Sequence, residues 1–207
     1  MWFHKMRLPD GTITPGRADC EALLPVFGIT PDLFAGKSVL DIGCNDGFYS
    51  FYAERSGARR VVALDNYAQH PDGLDNFRLA RTAFGLGVEL VIADIQEGVP
   101  AELGTFDVVL FMRVFYHLSD PWRGLRNAIA AVGERLVVES HIDRWAGERY
   151  PAMRFYPNGE VDGDRTTLWG PNVTLFMELL QKRFGSVASK LIAENRRVVI
   201  HASSPRA

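Results

Sequence analysis

The sequence predicts an α/β protein built on a mostly parallel, doubly wound sheet, and three observations carry that prediction. Residues 38–42 form a short apolar run that passes through Asp41 into a glycine turn, Gly43-Cys44-Asn45-Asp46-Gly47. Behind the turn, Phe48, Phe51, Tyr52 and Arg55 recur at helical spacing. Further β-rich runs follow at 60–65, 88–94, 106–112 and 135–140, separated by helical patterns except before 106–112, which a loop over 98–104 precedes. Strands alternating with helices select a parallel sheet, because only a crossover helix can return the chain to a parallel neighbour.

Taken in order, residues 1–16 are an arm that opens on Trp2, Phe3, His4 and Lys5 and turns at Leu8-Pro9-Asp10-Gly11. A helix is expected over about 17–27. Residues 1–33 are therefore expected to be an arm and helix, and 34–207 the main domain. After the 60–65 run, a helix over about 74–84 stops at Gly85 and Gly87. Pro121 opens a helix over 122–132. Residues 141–171 break the pattern. They are rich in Gly, Pro, Arg and aromatics, and so long a connection in a compact domain is usually functional. It follows the fifth strand, at the carboxyl edge where open α/β sheets bind ligands, and it reads as the substrate loop. A helix over 173–184 and a strand pair at 186–192 and 197–202, joined by Glu194-Asn195, close the chain.

Composition narrows the classes. The 207 residues suffice for one domain, and 47% apolar content supplies a core. A net charge of −2 gives no basic footprint of the kind nucleic acid requires, although a local patch stays open. Cys20 and Cys44 have no metal or redox spacing. No signal peptide and no apolar run of membrane-spanning length stands out, which predicts a cytoplasmic protein. No set of oxygen ligands for a metal is evident beyond Asp94 and the acids at 162 and 164.

The turn is the place for a nucleoside cofactor. A dinucleotide fingerprint needs glycine at the positions held here by Gly43, Asn45 and Phe48, and Phe48 obstructs the packing that the third glycine permits. The spacing present is D-x-G-x-N-x-G. Asp65 ends the next strand 24 residues after Asp41, a separation at which a carboxylate reaches ribose hydroxyls. Asp94 ends the third. This set resembles the class I S-adenosylmethionine (SAM) methyltransferases. The resemblance implies a Rossmann-like, seven-stranded, mostly parallel sheet with a C-terminal antiparallel hairpin and helices on both faces. It implies SAM as cofactor and S-adenosylhomocysteine (SAH) as product. The segment before the first strand commonly covers the cofactor in that family, which implies a lid role for the arm. The implied cofactor contacts are Asp41, Gly43, Asn45, Gly47, Asp65, Asn66, Asp94, Ile95, Met112 and Arg113. Asn45 stands where glycine is usual, and asparagine tolerates left-handed angles better than most residues.

Residues 112–121 read Met-Arg-Val-Phe-Tyr-His-Leu-Ser-Asp-Pro, and 147–154 read Gly-Glu-Arg-Tyr-Pro-Ala-Met-Arg. With a helix ending in Lys182-Arg183-Phe184, they are similar to the tRNA wobble-uridine 5-oxyacetic acid methyltransferases, which use carboxy-SAM. That resemblance runs from about 34 to 184. It implies that Tyr116 lies at the transferred group and that a late arginine, Arg196 or Arg197, holds its carboxylate. The chain departs from the family in its short arm, where Lys5 is the available cation, and in the insert at 158–168.

His117 is the base candidate by residue type, being titratable near neutrality, and Tyr116 accompanies it as the second catalytic candidate. Each also has a plain structural reading, as a loop brace and a core aromatic. Trp2, Phe3, His141, Arg154, Tyr156 and Arg197 are the expected substrate residues. The leading expectation is methyl transfer from SAM to a hydroxyl or amine of a small molecule. The alternatives are a tRNA wobble-uridine modifier using carboxy-SAM and a non-catalytic SAM-binding module.

Overall fold

The computed structural model describes residues 1–145, 147–194 and 196–206. They fall into two compact units, residues 1–95 and the residues from 96 onward. The main sheet has seven strands, mostly parallel, and closes with an antiparallel C-terminal hairpin.

The first unit runs α1 (Cys20–Phe27), β1 (Ser38–Ile42), α2 (Phe48–Arg55), β2 (Arg60–Asp65), α3 (Asp72–Phe84) and β3 (Glu89–Ile92). Its strands pair in parallel in the order β3-β2-β1, with Asp41 opposite Ala63 and Asp65 opposite Ile92. α1 starts three residues later than its pattern predicts, because the Asp19 carboxylate caps it by accepting the Ala22 N–H. Gly28 and Gly85 end α1 and α3 in left-handed conformation. β1 is buried along its whole length, whereas β3 is partly exposed. Phe27, Phe34, Phe51 and Phe77 are fully buried and form the core of this unit.

The arm is part of this unit. His4 bridges Ala18, Arg7 bridges Ile13, and Lys5 pairs with the Asp19 carboxylate at 2.9 Å on the surface. The arm folds back on itself around Gly16. A methyl group there would lie 2.1 Å from the His4 carbonyl carbon.

The second unit runs β4 (Phe106–Met112), α4 (Pro121–Ala130), β5 (Val132–His141), β6 (Met153–Phe155), β7 (Trp169–Pro171), α5 (Val173–Gln181), β8 (Phe184–Ile192) and β9 (Arg197–Pro205). β4 and β5 are parallel, β9 lies antiparallel to β5, and β8 antiparallel to β9. Asp120 caps α4 ahead of Pro121, and Asn172 caps α5. Phe106, Phe111, Phe115, Phe176 and Phe184 fill its core.

Two expectations need correction here. Residues 141–171 are not irregular throughout, because β6 and β7 pair within them, with Arg154 opposite Gly170. The stretch is pinned by Asn172, whose buried amide donates to the carbonyls of Gly147 (2.6 Å) and Tyr150 (2.7 Å) while its oxygen accepts the Ala152 and Leu175 N–H groups. The closing helix stops at Gln181 rather than 184, since Phe184 already belongs to β8. Ala193 and Glu194 take left-handed angles in the final turn, and Asn195 lies outside the described residues.

Candidate functional site

In the first unit the glycine turn leaves β1 with three left-handed residues, Gly43 (φ 71°), Asn45 (φ 47°) and Gly47 (φ 89°). Gly47 has no substitute, because a methyl group there would lie 2.6 Å from both the Phe51 and Phe77 rings. Asn45 holds the strained angle that the sequence raised as a question, and the Asp65 carboxylate steadies it. One oxygen of Asp65 accepts the Asn45 N–H at 2.9 Å and the other accepts the Tyr67 N–H at 2.7 Å. Burial raises the Asp65 carboxyl above its ordinary range, against the pull of those bonds. A carboxylate has about four acceptor sites, so the acid can order the turn and still accept a ribose hydroxyl.

Next to it, Asn66 donates its amide to Asp94 at 3.2 Å, which joins the ends of β2 and β3. Ile95 is buried behind them. The turn, the Asp65 carboxylate and the polar Asn66–Asp94 edge have the acceptors and the close backbone approach that an adenosine moiety requires, so this unit fits a SAM-type nucleoside.

Asp41 has a different surrounding. It is 1% exposed, accepts the Ser50 hydroxyl proton at 2.6 Å, and burial pushes its carboxyl up to about 7. Its visible bond is internal, tying β1 to α2.

Asp46 is a residue whose role the sequence did not disclose. It is completely buried, and its Oδ2 accepts the backbone N–H groups of Phe3 (2.6 Å) and His4 (2.8 Å). The arm is thus fastened to the glycine turn itself. Asn76 donates to the Met1 carbonyl, and the chain's first amino group pairs with Asp72. Phe3 stacks on His70 at 6.2 Å, and Trp2 is half-buried. A Gly16→Ala substitution is expected to force the arm open. The measurement is amide exchange, and the expected result is loss of protection at Phe3 and His4 with protection of β1 retained.

In the second unit, eight of the expected residues lie near the carboxyl ends of β4 and β5 and the start of β9. Met112, buried, ends β4, and Arg113 follows it with φ 63°. Tyr116 and His117 form a single helical turn, Phe115–His117, with their rings 4.2 Å apart. The centre of the cluster is Glu139 on β5, fully buried. It takes a two-pronged pair from Arg197, through Nε and through Nη2 (3.0 Å), and Arg113 Nε stands 3.7 Å away. Arg197 Nη2 also donates to the Tyr116 hydroxyl at 2.8 Å, and its guanidinium lies over the Tyr116 ring. Of the two late arginines, Arg197 meets Tyr116 and Arg196 is exposed.

His141 lies edge-on to Tyr116, and its Nε2 stands 3.3 Å from the Tyr156 hydroxyl. That hydroxyl gives its proton to Asp143 at 2.7 Å, so it accepts from His141. Burial, reinforced by the Arg197 charge, pushes His141 down to about 4, so its ring is neutral at physiological pH. Arg154 stands 3.8 Å from Asp143 and over the Tyr156 ring. Burial raises the Tyr116 hydroxyl pKa, although the Arg197 charge opposes it.

His117 Nδ1 lies 2.8 Å from the Thr166 carbonyl oxygen and 3.1 Å from the Thr166 hydroxyl. A carbonyl only accepts, so Nδ1 carries the proton and Nε2 is the proton-accepting nitrogen of the neutral ring. Glu139, Asp143 and Thr166 escaped the sequence reading. A strand acid reads as surface until the fold buries it, and the other two lie in the long loop.

Residues 40–132 match the model of the methyltransferase domain family. The tRNA U34 carboxymethyltransferase of Cellvibrio japonicus is 29% identical over 147 residues, 68% of this chain and 42% of that protein. That of Proteus mirabilis is 31% identical over 140 residues, 61% of this chain and 42% of that protein. The chain thus spans less than half the length of these curated relatives. Among solved structures, the N-terminal domain of EvdMO1, in the presence of SAH and D-fucose, superposes with a TM-score of 0.72 at 19% identity, covering 98% of this chain and 91% of that one.

Proposed function

We propose, from the premise that residues 40–132 make this a methyltransferase-domain protein, that the chain transfers a methyl group from SAM to a hydroxyl or amine of a small-molecule acceptor. The observation that carries this reading is the His117 ring, fixed by Thr166 with Nε2 as its proton acceptor. SAM supplies an electrophilic methyl group on a sulfonium. The acceptor's proton passes to His117 Nε2 as the new bond to carbon forms, the carbon–sulfur bond breaks and SAH leaves. Asp65, Asn66 and Asp94 would hold the nucleoside, and the Tyr116 hydroxyl, held by Arg197, would orient the acceptor. Positioning of the two reactants can lower the barrier by about 7–11 kcal/mol, and the base contributes a further ~100- to 10,000-fold. The N-terminal domain of EvdMO1, whose fold this chain shares, was crystallised in the presence of SAH and D-fucose, and a sugar present with SAH there is in keeping with a small acceptor here.

A second reading has its own support. Arg197 and Tyr116 meet as a pair that can receive a carboxylate, and the curated relatives above are named tRNA carboxymethyltransferases. Trp145, Tyr150 and Phe155 are also exposed along the same loop as Arg149 and Arg154. Exposed aromatics among arginines are what unpaired bases stack on.

Calorimetric titration with SAM and with carboxy-SAM separates the two. Tighter binding of SAM is the expected result, and preference for carboxy-SAM would move the assignment to the tRNA reading. Asp65→Ala is expected to weaken SAM binding about 100-fold, because it removes both the ribose acceptor and the carboxylate that orders Asn45.

A further inference from the structure

We propose that the insert at 158–168 supplies a hydroxyl relay to His117, in which the Asp164 carboxylate acts on the imidazole through the side chain of Thr166. The inference rests on the reading of His117 as the base and names positioning residues for it.

The direction of each bond follows from the chemistry of the groups. The Asp164 carboxylate only accepts. Its Oδ1 takes both the Thr166 hydroxyl proton (2.7 Å) and the Thr166 N–H (2.8 Å), and its Oδ2 takes the Thr167 hydroxyl proton (3.2 Å). A hydroxyl has a single proton, so the Thr166 oxygen faces His117 as an acceptor, 3.1 Å from Nδ1. The Thr166 carbonyl, 2.8 Å from the same nitrogen, can also only accept. One threonine therefore accepts the hydrogen bond of His117 Nδ1–H with both its hydroxyl oxygen and its carbonyl oxygen, and passes the Asp164 charge toward the ring. Burial works against that charge, but the Thr166 bonds and the nearness of His117 hold the Asp164 carboxyl below its usual range.

The geometry is anchored. Thr167 is buried, the Leu168 N–H donates to the Tyr116 carbonyl at 2.8 Å, and Trp169 donates its indole N–H to the Leu118 carbonyl at 2.9 Å. The insert is thus stitched to the His117 turn on both sides of the ring.

Other ionisable groups of this unit stand near the ring. Tyr116 packs beside His117. Behind Tyr116, Arg197 and Arg113 face Glu139. Asp143 and Asp162 act on His141. Asp164 is the acid that hydrogen bonds connect to Nδ1. When Nε2 takes a proton from the acceptor, the cation that forms is stabilised from the far side of the ring. Asp164 and Thr166 touch neither substrate nor cofactor in this scheme and act through His117.

The test requires no knowledge of the acceptor. The full chain is labelled with ¹⁵N-histidine, and its five histidines are followed by NMR through a pH titration, with His117→Gln assigning the signal. The wild-type ring is expected to show the Nδ1–H tautomer. Asp164→Asn is expected to lower the His117 midpoint by about one pH unit, because it removes a nearby negative charge without removing the side chain. Thr166→Val is expected to lower it by less, and Thr166→Ser to restore it. A purely structural role would disturb signal positions across the loop without moving one midpoint. An unchanged midpoint in Asp164→Asn, or the Nε2–H tautomer in the wild type, would overturn the relay. The base reading fails separately. If His117→Gln keeps full methyl transfer, His117 is not the base, whatever its midpoint does.

Discussion

Replacing Glu139 with glutamine is expected to lower the stability of the protein by about 3–5 kcal/mol, the range found when one partner of a buried ion pair is removed. Glu139 has no exposed surface, and it meets two guanidinium groups that are themselves only 24% and 21% exposed. Removing its charge leaves the Arg197 guanidinium against a neutral amide. The cost arises from stranding that charge rather than from the intrinsic worth of the pair. The coupling therefore has a signature. Glu139→Gln combined with Arg197→Met is expected to be less destabilised than the sum of the single variants by more than 1 kcal/mol. Urea unfolding of the four proteins measures it. A Glu139→Gln variant within 1 kcal/mol of wild type would show that the cluster is already well solvated.

The second large effect belongs to Asp41 and depends on pH. Burial lifts its carboxyl from 3.8 to about 7 in the folded state. Between those values the folded protein keeps a proton that the unfolded chain has released. Stability from this group is therefore complete below pH 3.8, falls as pH rises toward 7, and stays low above it. The total fall is on the order of 4 kcal/mol. Asp41→Asn removes the titration while keeping an acceptor for Ser50. The difference in unfolding free energy between variant and wild type is expected to favour the variant increasingly from pH 4.5 to pH 8. Parallel stability curves across that range would place the Asp41 proton elsewhere. The same comparison reports what the fold sacrifices in stability to keep an acid beneath the glycine turn.

How legible this was in the sequence depends on the range of the interactions. β2 and β4 fall at the predicted residues because each is an apolar run with a clear polar stop, Asp65 in one and Arg113 in the other. The turn around Asn45 was legible because left-handed angles restrict residue choice locally. The arm was legible as an arm, but its attachment was not. The Asp46–Phe3 bond joins residues 43 apart, and nothing in the local pattern of either announces it. Glu139 illustrates the same limit more sharply. It stands among apolar residues on a strand, where alternation would place it toward solvent, and only the arrival of Arg197 from β9 explains its burial. The insert at 158–168 has no periodicity to read, so its tie to His117 through Thr166 emerged only from the folded chain.

The central claim is that a methyl group passes from SAM to a small molecule. It is tested most directly by incubating the purified chain with methyl-labelled SAM, bulk tRNA and a fractionated extract of hydroxylated and amino metabolites, and then asking where the label goes. Label in the small-molecule fraction, lost in Asp65→Ala and reduced at least 100-fold in His117→Gln, is the predicted result. Label found only in tRNA, or in no fraction although SAM binds, would contradict it.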